Sequence, residues 1–120
     1  MSRTLLCGHL RLFGSLRLVY TTGVYLRFEW SPAKAKLNLR KHGIALEDAI
    51  TAFSGSYVEC ADEREEYGED RVVVLGEVNT RVVVIVYTWR GVTRRIISAR
   101  KATKQEREVY YSEIDGSRPF

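Results

Sequence analysis

The chain has 120 residues, 45% of them hydrophobic, with a formal net charge of +4 and two cysteines. That length supports one domain with a modest core and leaves little room for a second. No apolar run approaches the length of a membrane-spanning helix. Cys7 and Cys60 are too far apart in sequence to form a metal or redox motif, and so sparse a cysteine content fits a reducing, cytoplasmic setting.

The charge is informative once it is located. Residues 1–26 hold three arginines, Arg3, Arg11 and Arg17, and no acid, so residues 27–120 carry sixteen of the nineteen cations against all fifteen anions. Within that nearly neutral part the signs are segregated. Residues 59–70 hold seven acids and one cation, and residues 90–107 hold seven cations and one acid, Glu106. Such an arrangement makes an anion-seeking face on a nearly neutral body, or two solvated faces that balance each other.

The leucines and arginines of residues 1–26 alternate, and the arginines interrupt the stretch too often for a secretory signal. A basic, presequence-like segment, an added edge strand and a translation start nearer Val24 or Leu26 are all open readings. The abrupt change of pattern near residue 24 favours the last. The expected division is therefore an extension over 1–26, a domain over 27–114 and a tail over 115–120.

VYLRFEW (24–30) reads as a first strand. Ser31-Pro32 is a helix start, with Ser as N-cap and Pro in the first turn, and Gly43 is a left-handed stop. A second helix is expected over 46–53, with Leu46, Ala49, Ile50 and Phe53 on one face and no good cap at Ala45. Residues 57–61 read as an edge strand, and 62–70 as a solvated acidic loop. RVVVLGEV (71–78) and RVVVIVYTW (81–89) form a hairpin through Asn79-Thr80, and their continuous apolar character places them centrally with both faces covered. A strand over 93–100 follows. Thr103 and Glu106 make a capping box for a last helix. The order β-α-α-β-β-β-β-α implies an α+β domain: a compact antiparallel sheet of four to five strands, two N-terminal helices and one C-terminal helix.

The chemistry concentrates in two places. Lys34, Asn38 and Lys41 share a face of the first helix, and His42 ends it, where the helix dipole favours a protonated imidazole. A plain C-capping histidine is the duller reading. In the strand RIISAR, simple alternation puts Arg94, Ile96, Ser98 and Arg100 on one face and Arg95, Ile97 and Ala99 on the other. Arginine on both faces of a strand suits phosphate, which its planar fork of donors matches. The two histidines are unlinked by spacing, the acidic run lacks a calcium-loop pattern, and no Gly-rich phosphate loop occurs, so no metal and no cofactor are expected. Cations, one histidine and a tyrosine suit metal-free RNA cleavage, in which the RNA supplies its own 2′-OH as nucleophile.

The motifs FEW-S-P-A-K (28–34), N-L-R-K-H-G (38–43), E-D-A (47–49), Arg71 with Gly76, Y-T-W-R-G (87–91) and RIISARKAT-K-Q-E-x-x-x-Y (95–110) resemble, in order and wording, the BrnT family of bacterial toxins. The resemblance implies a fold similar to RelE-type ribonucleases and an endoribonuclease that arrests translation. It implies a BrnA-like ribbon-helix-helix antitoxin as partner, operator DNA bound only through that complex, and no membrane. Carried over by position, it implies catalytic roles for Lys41, His42, Arg95 and Arg100. It implies RNA contacts for Lys34, Asn38, Ser98, Lys101 and Tyr110, and points to Glu106. Ser31, Ala45 and Trp89 depart from the family pattern; Trp89 stands where an acidic residue is usual. A non-catalytic nucleic-acid-binding or antitoxin-binding module on the same fold is the alternative.

Overall fold

The computed structural model describes residues 6–7, 10–12, 27–62 and 70–115. The expected strand residues 24–26 and most of the expected acidic loop and tail lie outside them. The elements run β1 (Leu6–Cys7), β2 (Leu10–Leu12), β3 (Arg27–Glu29), α1 (Pro32–His42), α2 (Leu46–Ala49), a 3-10 turn (Ile50–Ser54), β4 (Tyr57–Asp62), β5 (Arg71–Val78), β6 (Arg81–Arg90), β7 (Thr93–Lys101) and α3 (Lys104–Asp115). The sheet order is β1-β2-β4-β5-β6-β7-β3.

The domain is α+β as expected, with one correction to its sheet. β4, β5, β6 and β7 form an antiparallel meander, but β3 pairs parallel with the start of β7, Phe28 opposite Arg94. β4 is not an edge strand either, because β2 pairs with Cys60–Asp62. The described residues of the N-terminal segment form β1 and β2 at this side of the sheet.

The central strands are covered on both faces, which is why their sequences do not alternate. One face packs Leu46, Ala49, Ala52 and Phe53 against Val74, Val83, Ile85, Tyr87 and Ile96. The other packs Tyr110 and Ala102 against Val58, Val73, Leu75, Val82 and Val84. The second helix keeps its expected apolar face but tightens into a 3-10 turn after Ala49. Gly76 lets that turn approach: a Cβ there would lie 2.8 Å from the Ala52 Cβ. Asn79 and Thr80 form the expected two-residue hairpin turn, both with positive φ (51° and 66°). The caps of α1 also hold: Ser31 Oγ accepts from Lys34 N at 3.4 Å, and Gly43, at φ 73°, donates to Leu39 O.

β7 carries a bulge that the simple alternation missed. Ser98 lies opposite Val86 and Ile96 opposite Tyr87, so Ile97 is the extra residue. The bulge resets the faces. Arg95, Ser98 and Arg100 share the face of Val84 and α3, while Arg94, Ile96, Ala99 and Lys101 share the other.

β3 covers only the first three residues of β7, and among the described residues no strand pairs with the rest of its outer edge. Asn38 fills part of that gap. Its Nδ2 donates to Ala99 O (2.9 Å) and its Oδ1 accepts from Ala99 N (3.1 Å), as a neighbouring strand would. Nδ2 also donates to Ile44 O at 3.0 Å, fixing the turn into α2. Asn38 is the one buried residue of α1. Asn38→Ala would leave two main-chain carbonyls and one N–H without these partners. At roughly 1–3 kcal/mol for each group fully orphaned, and less where water enters, the expected loss is about 2–4 kcal/mol in urea unfolding. Exposed Lys36→Ala should stay within about 0.5 kcal/mol; equal stability of the two variants would contradict the edge-pairing role.

Candidate functional site: the cationic end of β7

Glu29 lies beside Arg95 and Asn38 beside Ala99, so α1 runs in the same sense as β7 along its outer edge. The last turn of α1, Arg40, Lys41 and His42, therefore lies toward the end where β7 hands over to α3. Arg100 and Lys101 finish the strand there, and Lys104 and Arg107 open the helix. Lys41, Lys101, Lys104 and Arg107 are exposed; His42 and Arg100 are half-buried. Arg100, Lys101, Lys104 and Arg107 thus gather at one end of the sheet, with Lys41 and His42 on one side of the β7 edge and Arg100 on the other, while Arg90, Arg94 and Arg95 lie at the opposite end of β7.

Arg100 is held tightly. Its Nη1 and Nη2 donate to the two carboxylate oxygens of Glu106, both at 2.9 Å, and Nη1 also donates to Lys101 O at 3.2 Å. Glu106 in turn accepts from Thr103 N at 2.8 Å, and Thr103 Oγ1 accepts from Glu106 N at 3.1 Å. This is the expected capping box with an arginine locked onto it. Of the five guanidinium protons, two go to Glu106 and one to Lys101 O, which leaves the Nε–H and the second Nη2–H. Those two are parallel and form the other bidentate edge of the fork. With its side chain 38% exposed, Arg100 presents that edge without a protein acceptor among the described residues.

The remaining candidates divide. Ser98 sits on the Arg100 face and Lys101 on the α1 face. Lys34 is exposed on α1. Arg95 shares a face with Arg100 but stands five residues back along the strand, and its Nη1 donates to Glu29 at 2.9 Å. The two arginines expected to clamp one phosphate are each bound to a different carboxylate. Asn38 and Tyr110, expected to contact RNA, are both buried. The Asn38 amide serves main-chain groups, and the Tyr110 ring lies in the core with its hydroxyl donating to Ser56 O at 3.1 Å. Among the described residues no group of three or more His, Cys, Asp or Glu is placed to hold a metal ion.

Sequence reasoning passed over Arg94. It is buried, its guanidinium 4.6 Å from the Trp89 ring centroid, 4.8 Å from Phe53 and 5.2 Å from Tyr87. Its Nη2 donates to Tyr57 Oη at 3.4 Å, while its Nε is buried with no hydrogen-bond partner among the described residues. The tyrosine hydroxyl of Tyr87 donates to Glu59, and burial first, then that carboxylate, pushes its pKa well above the ordinary range. The signal was available: the Arg90-Gly91-Val92-Thr93 turn sets Trp89 directly opposite Arg94.

Glu106 gives a pH test. Burial pushes its carboxyl pKa up, but the Arg100 fork and the Thr103 N–H outweigh that and hold it below the ordinary value. A carboxyl depressed on folding stabilises above its unfolded pKa and loses that contribution as pH falls through the folded one. The gap in urea midpoint between the wild-type chain and Glu106→Gln should be widest near neutrality. It should close as pH drops below the usual carboxylate range of about 4. A gap that stays constant down to about pH 2 would show that Glu106 acts without its charge.

No curated protein matches the chain. The family described as "Ribonuclease toxin, BrnT, of type II toxin-antitoxin system" matches residues 30–106, a span that includes α1, the meander, the bulged β7 and the capping box through Glu106. That match covers more than half of the sequence, and the chain belongs to the BrnT family of ribonuclease toxins of type II toxin–antitoxin systems.

Proposed function

We propose that this chain is a metal-independent, cytoplasmic endoribonuclease that arrests translation, restrained by a BrnA-like ribbon-helix-helix antitoxin through which alone it meets operator DNA. The observation that carries the ribonuclease chemistry is the open Nε/Nη2 edge of Arg100, held in place by Glu106 at the cationic end of β7. A phosphate diester offers two oxygens at the spacing that edge fits.

The steps follow from RNA's own reactivity. The 2′-OH attacks the adjacent phosphorus, its proton passes to a base, negative charge builds on the phosphorane oxygens, and the 5′-oxygen leaves with a proton. Arg100 stabilises the phosphorane charge, and it costs little reorganisation because Glu106 already fixes it. Lys101 and Lys34, on the α1 side, bind flanking phosphates, and Ser98 contacts RNA on the Arg100 face. Lys41 or His42, across the strand edge, assists the proton transfers. Arg95, farther back on the Arg100 face, takes a neighbouring phosphate rather than the scissile one.

Arg100→Lys keeps the charge but loses the fork, and Arg100→Ala loses both. In EDTA, with the full chain freed of partner, each should cut RNA at least about 100-fold more slowly than wild type, on the scale of losing one transition-state donor. Circular dichroism should show both folded. Wild-type rates from a folded Arg100→Ala protein would refute the assignment. Wild-type cleavage that vanishes on adding EDTA would refute metal independence while leaving Arg100 to be judged from its variants in added metal.

A further inference from the structure

The first helix is built inside out. Its single buried residue is polar, Asn38, while Leu37 and Leu39 are 55% and 50% exposed. It holds four exposed cations, Lys34, Lys36, Arg40 and Lys41, and no acid. At about 100° of turn per residue, Lys36 and Arg40 stand one turn apart along the middle of the exposed arc, with Leu39 on one flank and Leu37 on the other. A surface helix normally turns its leucines to the core. Here the sheet edge takes the asparagine, and two aliphatic side chains face water on either side of a cationic ridge.

We infer that α1 is the docking surface for the antitoxin, through a segment that lays a row of acidic side chains along Lys36 and Arg40 between two lines of apolar residues. The inference rests on the toxin reading above and adds where and by what chemistry the partner binds. Charge complementarity selects an acidic occupant. The leucines select protein over RNA, since bases stack on aromatic rings and phosphates seek cations, and neither gains much from aliphatic side chains. Lys41 borders the Leu37 flank of that ridge, so a segment seated there reaches the edge of the proposed RNA site.

The test uses the full chain and the antitoxin encoded with it, with affinity measured by calorimetry and RNA cleavage measured separately. Leu37→Ser/Leu39→Ser and Lys36→Glu/Arg40→Glu change only exposed residues outside the proposed catalytic group. Each pair should weaken antitoxin binding at least tenfold and leave free-enzyme cleavage within about twofold. The charge pair should also flatten the salt dependence of binding. Wild-type antitoxin affinity in both double variants would overturn the proposal. So would unchanged antitoxin affinity with impaired RNA binding, which would make α1 an RNA surface. If the free wild-type chain cuts no RNA, the ribonuclease reading falls, and the antitoxin affinities still decide this inference.

Discussion

The pairing of the Asn38 amide with both main-chain groups of Ala99 is the interaction on which the rest of the architecture leans. A strand at a sheet edge leaves a row of donors and acceptors that something must cover. β3 covers only Arg27–Glu29 against Thr93–Arg95, and a side chain from a helix covers the strand at Ala99. Since α1 buries little apolar surface of its own, this polar contact, with the bond to Ile44 O, holds the helix along the edge. Through it, Lys41 and His42 come to lie beside the end of β7. The same arrangement frees the leucines of α1 to face outward.

The second constraint is the lock between Arg100 and the start of α3. A capping box needs only Thr103 and Glu106; here the Glu106 carboxylate also receives two donors from the preceding strand. One carboxylate thus closes a helix N-terminus and aims a guanidinium. The Ile97 bulge contributes by turning Arg100 onto the α3 face, where Glu106 can reach it. At the far end of the sheet, Asp70 lies beside Thr88, whose hydroxyl donates to its carbonyl at 2.7 Å. The acidic stretch therefore joins the sheet at the end opposite Arg100 and Lys101.

Much of this was legible in the sequence because local chemistry and tertiary context agree. Ser31-Pro32, Gly43, Asn79-Thr80 and Thr103/Glu106 specify caps and turns by mechanism, and all four are found. The unbroken apolar runs of β5 and β6 announced two covered faces. The misses share a cause: each depends on a partner distant in the chain. Asn38 looked like part of a polar stripe because nothing near it in sequence reveals the open edge 61 residues away. Parallel pairing of β3 is a topological choice that its own three residues do not encode. The bulge shifts the faces of β7 without a glycine to mark it. Tyr110 reads equally as a surface or core ring until Ser56 supplies its acceptor. Arg94 was within reach, since a short turn fixes which residues stand opposite, but a cation among three aromatic rings contradicts the ordinary expectation for a buried arginine.

The central claim is spatial: RNA is engaged at the end of β7 where α1, the strand and α3 converge. Backbone amide shifts of the full chain, titrated with a short RNA carrying 2′-O-methyl groups that block self-cleavage, test it most directly. The account predicts that the largest shifts cluster at Lys41–Gly43 and Ser98–Arg107 and titrate together. Shifts centred on the Trp89–Thr93 hairpin, with residues 98–107 unmoved, would contradict it.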